Sequence, residues 1–417
     1  MNTISSLNAF EILDSRGRPT VMTLCKLADG SYGKASVPSG ASTGASEAIE
    51  LRDGDQSRYS GLGCLTAVEN VNTLIHQAVV NQTFSNQQKL DERLLALDGT
   101  SNKSKLGANA MLSVSLAFAR ACAMTEKMEL YELFSQLANV EPRLPQPMIN
   151  LFSGGKHAGQ QVSIQDVQIT FPTMTRLSDT FAAMFDVYYT SARLAQEKFG
   201  TRLLTADEGG LAPPFTSSEA MLSATVSAIN EVGLTAGHDA CLTVDAAATH
   251  FYDDSGHYQL DGNTTSAQEL IEIYQRWISQ YHISSLEDGL YEEAWQDWTT
   301  LFNQVGDNIM VLGDDLLCTN PKRIDKAITE NAANSLLLKV NQIGTLSEAL
   351  TSLKLAREAG WKVVISARSG ETEDDWLADL ATGWAADYIK VGSITQSERL
   401  AKYNRLLELE AIHHLSL

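Results

Sequence analysis

A chain of 417 residues exceeds one ordinary core, so two domains are expected, one small and one a large barrel. With 44% hydrophobic and 20% charged residues the composition is that of an ordinary globular protein, and a formal net charge of −20 argues against nucleic acid or an anionic membrane as partner. Five scattered cysteines (Cys25, Cys64, Cys122, Cys241 and Cys318) form no CxxC pair, which fits buried thiols of a reducing compartment rather than disulfides or a zinc site.

The N-terminus lacks a basic start followed by an apolar core, so no secretory signal is visible. The longest apolar stretch, Ala108–Met124, is interrupted by Asn109, two serines and Arg120 and reads as a buried helix. A cytoplasmic location is expected. Ile4–Ile12, Thr20–Leu27 and Tyr32–Val37 are β-prone runs separated by turns, which predicts a three-stranded antiparallel meander. The sequence PSGASTG over Pro38–Gly44 is compatible with a surface linker or with a mobile lid reaching a ligand. Glu47–Arg52 begins a helical pattern, continued by Val68–Val80, Asn86–Leu97 and Leu106–Leu137, the last with a break near Thr125–Glu126. Residues 1–137 are thus expected to form an α+β domain that caps the rest. Pro142, Pro145 and Pro147 mark the boundary, near 138–147.

Residues 138–417 change character. Short apolar runs end in charged residues: Leu242–Asp245, Ile283–Glu287, Met310–Asp314, Leu336–Lys339, Val363–Arg368 and Tyr388–Lys390, with helical patterns between them. The ends are spaced by 42, 27, 25, 29 and 22 residues, close to the strand-plus-helix period of a β/α barrel, whose chemistry sits at the C-terminal strand ends. Asp245, Glu287 and Asp314 would converge there. Three carboxylates at one point repel unless a cation sits between them, and all-oxygen ligands select a hard ion, Mg²⁺ first. The alternative is that each acid caps the following helix. Lys339 reads either as half of a structural ion pair with Asp314 or as a base whose proton affinity is lowered by burial and nearby cations. Of Lys339 and Lys390 one can be the base and the other can neutralise a substrate carboxylate, and Arg368-Ser369 suits a phosphate. Together these groups suggest abstraction of a proton α to a carboxylate on a small phosphorylated acid. Glu208 in DEGG, His157 in GGKHAG and Asp166 are individually ambiguous.

The segments EILDSRGRPTV, VPSGASTG, ELRDGD, LDGTSNKSKLGANA, DEGG, LEDGL, GDDL…TNPKRI, KVNQIGTL, RSGETED and AKYN resemble, in order and along nearly the whole chain, the enolase (phosphopyruvate hydratase) family. A lysine base with magnesium is that superfamily's established pattern, not a deduction from spacing. The resemblance implies an N-terminal α+β domain, a barrel whose first units are irregular, and a homodimer with Arg16 near the subunit contact. It implies Asp245, Glu287 and Asp314 as ligands of a tightly held Mg²⁺ and Ser42 as ligand of a second, substrate-associated one. It further implies Lys339 as base, Lys390 on the substrate carboxylate, Arg368 and Ser369 on the phosphate, and His157 closing over it. Glu208 would be the acid that assists loss of the C3 hydroxyl. Gln165 and Asp166 take the places of a Gln-Glu pair.

Some departures lie near this chemistry. The family's SHRSGE is SARSGE here, placing Ala367 where a histidine stands, and IQEF is IQDV, which shortens a glutamate to Asp166. HAGN is HAGQ, GDEGGF is ADEGGL and GKG is GLG. Three readings follow: dehydration of 2-phosphoglycerate; dehydration of a related phospho- or phosphono-compound, of the carboxyphosphonoenolpyruvate synthase type; or a non-catalytic scaffold. The intact carboxylates and Lys339 speak against the third.

Overall fold

The computed structural model describes residues 1–41, 44–202 and 204–417. The expected meander is present as β1 (Asn2–Leu13), β2 (Pro19–Leu27) and β3 (Tyr32–Ser36), extended by a two-residue strand, β4 (Thr83–Phe84), in the order β3-β2-β1-β4. The helical run Leu65–Val79 (with a π turn at Val71–Ile75) and the helices Gln87–Asp98, Ala108–Glu126 and Leu130–Ala138 follow. Ala108–Glu126 is apolar on nearly every face because it is buried on nearly every face, against β2 and β3. A side chain on Gly33 of β3 would sit 2.1 Å from the carbonyl of Ala117, so that close approach requires glycine.

Glu47–Arg52 is not helical. Its backbone is drawn out between the two halves of the molecule: Ala48 N–H donates to the Gln342 carbonyl (2.8 Å), Ile49 N–H to that of Asn102 (2.7 Å) and Leu51 N–H to Asn109 Oδ1 (3.2 Å). Three partners from other segments replace the i→i−4 ladder that the local pattern suggested.

From Gln146 the chain builds a closed eight-stranded barrel. Its strands are β5 (Gln146–Ser153), β6 (Asp166–Thr170) and β7 (Cys241–Asp245), then, after a small hairpin of β8 (Tyr258–Leu260) and β9 (Asn263–Thr265), β10 (Ile283–Glu287), β11 (Met310–Gly313), β12 (Ser335–Leu338), β13 (Lys362–Ser366) and β14 (Tyr388–Gly392). All neighbours pair in parallel except β6, which is antiparallel to both β5 and β7. The segment between β5 and β6 holds only a short 3₁₀ turn, too little for the helical crossover that a parallel pair needs. The first units of the barrel are therefore irregular. Met148, Leu312, Leu337 and Val364 fill the barrel interior beneath the charged strand ends, separately from the larger core between strands and helices. Among the described residues no helix is long and apolar enough to cross a membrane.

Candidate active site

The parallel strands carry their C-terminal residues to one face. Asp245 closes β7, Glu287 closes β10, Asp314 follows β11, Lys339 follows β12, Arg368 follows β13 and Lys390 lies in β14. Asp166 reaches the same face by the opposite route. It begins β6, and because β6 runs backwards its first residue pairs with Asp245, the last of β7. His157, Gln165, Glu208, Asp245, Lys339, Ala367, Arg368, Ser369 and Lys390 line one partly open cavity of about 20 Å³, room for about one water. Asp166, Glu287 and Asp314 stand one hydrogen bond behind it, on His157, Lys390 and Lys339 respectively.

Three charge clusters make up the site. In the first, the Lys390 ammonium donates to Asp245 Oδ2 (2.8 Å) and to both oxygens of Glu287 (2.8 and 2.7 Å), and Gln165 Nε2 donates to Asp245 Oδ2 (3.1 Å). Burial disfavours the Lys390 ammonium, but Asp245 and Glu287 outweigh it and hold the amine well above its ordinary value. Burial, with Asp245 beside it, pushes the Glu287 carboxyl far up.

In the second cluster Lys339 is ion-paired with Asp314, whose other oxygen accepts from Gln342 Nε2 (2.8 Å). Gln342 is itself held by Thr319 Oγ1, 2.6 Å from its carbonyl oxygen. Burial pulls the Lys339 amine down, yet Asp314 holds it above its ordinary value. The lowered proton affinity expected of a base is thus not the state of this arrangement, in which one Asp314 oxygen pairs with the lysine and the other with Gln342. Asp288 receives the backbone N–H groups of Asp314 (2.9 Å) and Asp315 (2.7 Å) and fixes the turn that presents Asp314.

The third cluster joins His157, Asp166 and Glu208, whose ligand atoms lie within 4.8 Å of one another. His157 Nδ1–H donates to Asp166 Oδ2 (2.8 Å), and Ser153 Oγ–H donates to Asp166 Oδ1 (2.6 Å). Glu208 accepts from Asn150 Nδ2 (3.0 Å) and lies 3.9 Å from His157 Nε2. Burial works against the imidazolium, but Asp166 and Glu208 prevail and push His157 up to about 9. Burial would raise Glu208, and His157, Arg399 and Lys390 bring it below its ordinary value. The proton on this side of the cavity therefore resides on the His157–Asp166 pair.

The stretch Pro38–Gly44 is tied to the barrel as far as it is described. Ser39 and Gly370 exchange backbone hydrogen bonds (2.8 and 2.9 Å), and Ser369 Oγ accepts from Ala41 N–H (2.8 Å) and Arg16 Nη1 (3.1 Å). A side chain on Gly370 would meet Arg16 and Asp14 at 2.4 Å, so the two halves close only over glycine. Ser42, expected as a ligand of a second metal, lies outside the described residues.

Several site residues carried no clear signal in the sequence. Glu47 binds the Arg368 guanidinium through both oxygens (3.1 and 3.2 Å), inside a segment that reads as helix. Arg399 donates to the carbonyls of Arg368 (2.7 Å) and Ser369 (2.6 Å) from the first turn of helix Ser397–His413. Asn150 and Ser153 are polar interruptions of the apolar run in β5, the one cue that could have marked them.

Among the described residues the acidic set whose ligand atoms lie within 4.8 Å of one another is Asp288, Asp314 and Asp315, and it shares only Asp314 with the expected set of Asp245, Glu287 and Asp314. The carboxylates of Asp245, Glu287 and Asp314 are buried, offer only oxygen, and are neutralised here by two lysine amines. The family described as Enolase, C-terminal TIM barrel domain, matches residues 141–414, and the family described as Enolase, N-terminal domain, matches residues 4–134. With both domains matched in order, and with acids, lysines and an arginine set on the barrel mouth, the chain belongs to the enolase family.

Proposed function

We propose that this chain is a Mg²⁺-dependent hydro-lyase that dehydrates 2-phosphoglycerate to phosphoenolpyruvate. The observation that carries the reading is the single, partly open cavity onto which Lys339, Lys390, Arg368, Ser369, His157 and Glu208 all open. Asp245, Glu287 and Asp314 would hold Mg²⁺, with Ser42 assigned to a second ion. The bound metal supplies positive charge that stabilises an enediolate. Were Asp314 engaged as a ligand, Lys339 would lose the partner that holds its amine up, and burial would favour its neutral, basic form. Lys339 takes the C2 proton. Lys390 orients the substrate carboxylate, and Arg368 and Ser369 take the phosphate. The C3–O bond breaks, its electron pair leaves with the hydroxyl, and a proton from Glu208 makes that group water as the C2=C3 bond forms. His157, protonated beside Glu208, supplies the proton that Glu208 delivers.

Ala367 on the cavity wall favours a second reading, a related phospho- or phosphono-glycerate with an added substituent, as in specialised metabolism of the carboxyphosphonoenolpyruvate synthase type. Phosphoenolpyruvate formation from 2-phosphoglycerate with Mg²⁺, measured for the natural chain, Ala367→His and Asp166→Glu, separates the two. Robust turnover by the natural chain supports the first. Turnover only after the reversions supports the second. Absence of Mg²⁺ binding by calorimetry would overturn both. We further propose domains of 1–137 and 138–417, supported by helices that end at Ala138 and a barrel that starts at Gln146, and a homodimer.

A further inference from the structure

Arg16 lies in the turn between β1 and β2, far in sequence from the last barrel strands, yet its guanidinium reaches a residue of the cavity wall. Nη1 donates to Ser369 Oγ (3.1 Å), and Nη2 donates to the Ser39 carbonyl (3.0 Å) and to Asp14 Oδ2 (3.4 Å). The Arg16 side chain is 7% exposed. Its backbone is fixed as well. Asp14 Oδ1 accepts from the N–H groups of Arg16 (2.8 Å) and Arg18 (2.9 Å), and Ser15 N–H donates to the Glu371 carbonyl (2.7 Å). The guanidinium is therefore set in place before any ligand arrives, and little rotamer freedom is left to lose on binding.

A serine hydroxyl has two lone pairs and one proton to donate. Ser369 Oγ accepts from Arg16 and from Ala41 N–H (2.8 Å), so both lone pairs are taken, and among the described residues nothing accepts from its O–H. Ser369 lines the cavity next to Arg368, so the proton it has left to give is available to a ligand oxygen there. A hydroxyl filled in this way has no acceptor capacity to offer a donor and suits a group that only accepts, as a phosphate dianion does. The guanidinium charge, one hydrogen bond away, polarises the O–H further. Ala41 alone would leave one lone pair open and the hydroxyl free to act as acceptor. Resting on the reading of Arg368 and Ser369 as phosphate ligands, we propose that Arg16 is a positioning residue that makes Ser369 an obligate donor to the substrate phosphate.

2-Phosphoglycolate, a phosphorylated acid with no C3 hydroxyl to lose, is the probe. It is titrated calorimetrically, with Mg²⁺ present, into the full chain and into Arg16→Met, Ser369→Ala and the double variant. Each single substitution is expected to weaken binding about tenfold, the size of one net hydrogen bond. The double variant should bind no more than about twofold more weakly than Ser369→Ala, because Arg16 acts through that hydroxyl. The Mg²⁺ Kd measured without probe should stay at the natural value in Arg16→Met. Unchanged probe binding in Arg16→Met would overturn the proposal, as would no binding by the natural chain. Single effects that multiply to about a hundredfold in the double variant would also overturn it, since a contact that merely holds the two halves together acts independently of Ser369. Phosphoenolpyruvate formation from 2-phosphoglycerate by the same preparations tests the reaction separately: the expected binding pattern without turnover would overturn the reading of the reaction and uphold the role of Arg16.

Discussion

Lys390 donates to two buried carboxylates at once. Removing a cation from such a cluster leaves uncompensated buried negative charge, an effect of about 3–5 kcal/mol. Lys390→Met is therefore expected to lower the urea-unfolding free energy by that amount without divalent cation, and by clearly less at saturating Mg²⁺ if the same carboxylates hold the metal. In the natural chain Mg²⁺ at a hundred times its Kd should add about 2.7 kcal/mol, and Asp245→Asn should reduce that gain. Lys339→Ala is expected to lower kcat by about 10²–10⁴-fold and to abolish exchange of the C2 proton with solvent deuterium. Unchanged exchange would reassign the base. At this scale the sequence was informative where a charged residue ends a short apolar run, as at Asp245, Glu287 and Lys390. It was silent on Glu47, whose role depends on an arginine more than three hundred residues away and on no local pattern.

Among the elements, β6 marks the limit of pattern reading. The alternation that identifies a strand is the same in either direction, so nothing local says that Asp166 begins a strand on the catalytic face. Only the absence of a crossover helix before it does. Helix Leu346–Glu358 raises a different point. Its first turn is held across the molecule by Asp91, which accepts from the backbone N–H (2.9 Å) and Oγ–H (2.6 Å) of Ser347. Burial pushes the Asp91 carboxyl up to about 6. A carboxyl raised on folding stabilises the native state in full below its unfolded value near 3.8, and that contribution fades as pH rises through 6. The stability difference between the natural chain and Asp91→Asn should accordingly shrink by about 2 kcal/mol from pH 4 to pH 7, measured by denaturant titration at each pH. A flat difference would mean that Asp91 is ionised throughout.

For the whole molecule, the barrel was legible because four successive spacings of 22 to 29 residues keep the strand-plus-helix period after a longer first interval that holds the β8–β9 hairpin. Assembly between chains leaves a weaker trace. Phe10 and Leu13 on β1 are 46% and 55% exposed, and Phe185 and Tyr189, with ring centroids 4.5 Å apart and planes tilted on helix Leu177–Phe199, are 54% and 49% exposed. Large apolar groups in solvent mark contact surfaces, and a closed two-fold pair is the commonest way to cover them. Light scattering on a sizing column should give twice the 45.4 kDa chain mass, and Phe185→Asp should shift it toward the monomer.

Closure of the barrel also dictates when the site can exist. β14 seals against β5, with Lys390 beside Met148, so the first and last strands of the barrel are neighbours in space. About 240 residues of chain must be made between them, roughly 10–50 s of synthesis at about 5–20 residues per second. From their own synthesis until β14 is made, Asp245 and Glu287 have no Lys390 to neutralise them, and for the whole interval β5 lacks its β14 partner. A nascent chain arrested before Tyr388 should be held by a chaperone or aggregate, while one extended past Gly392 folds.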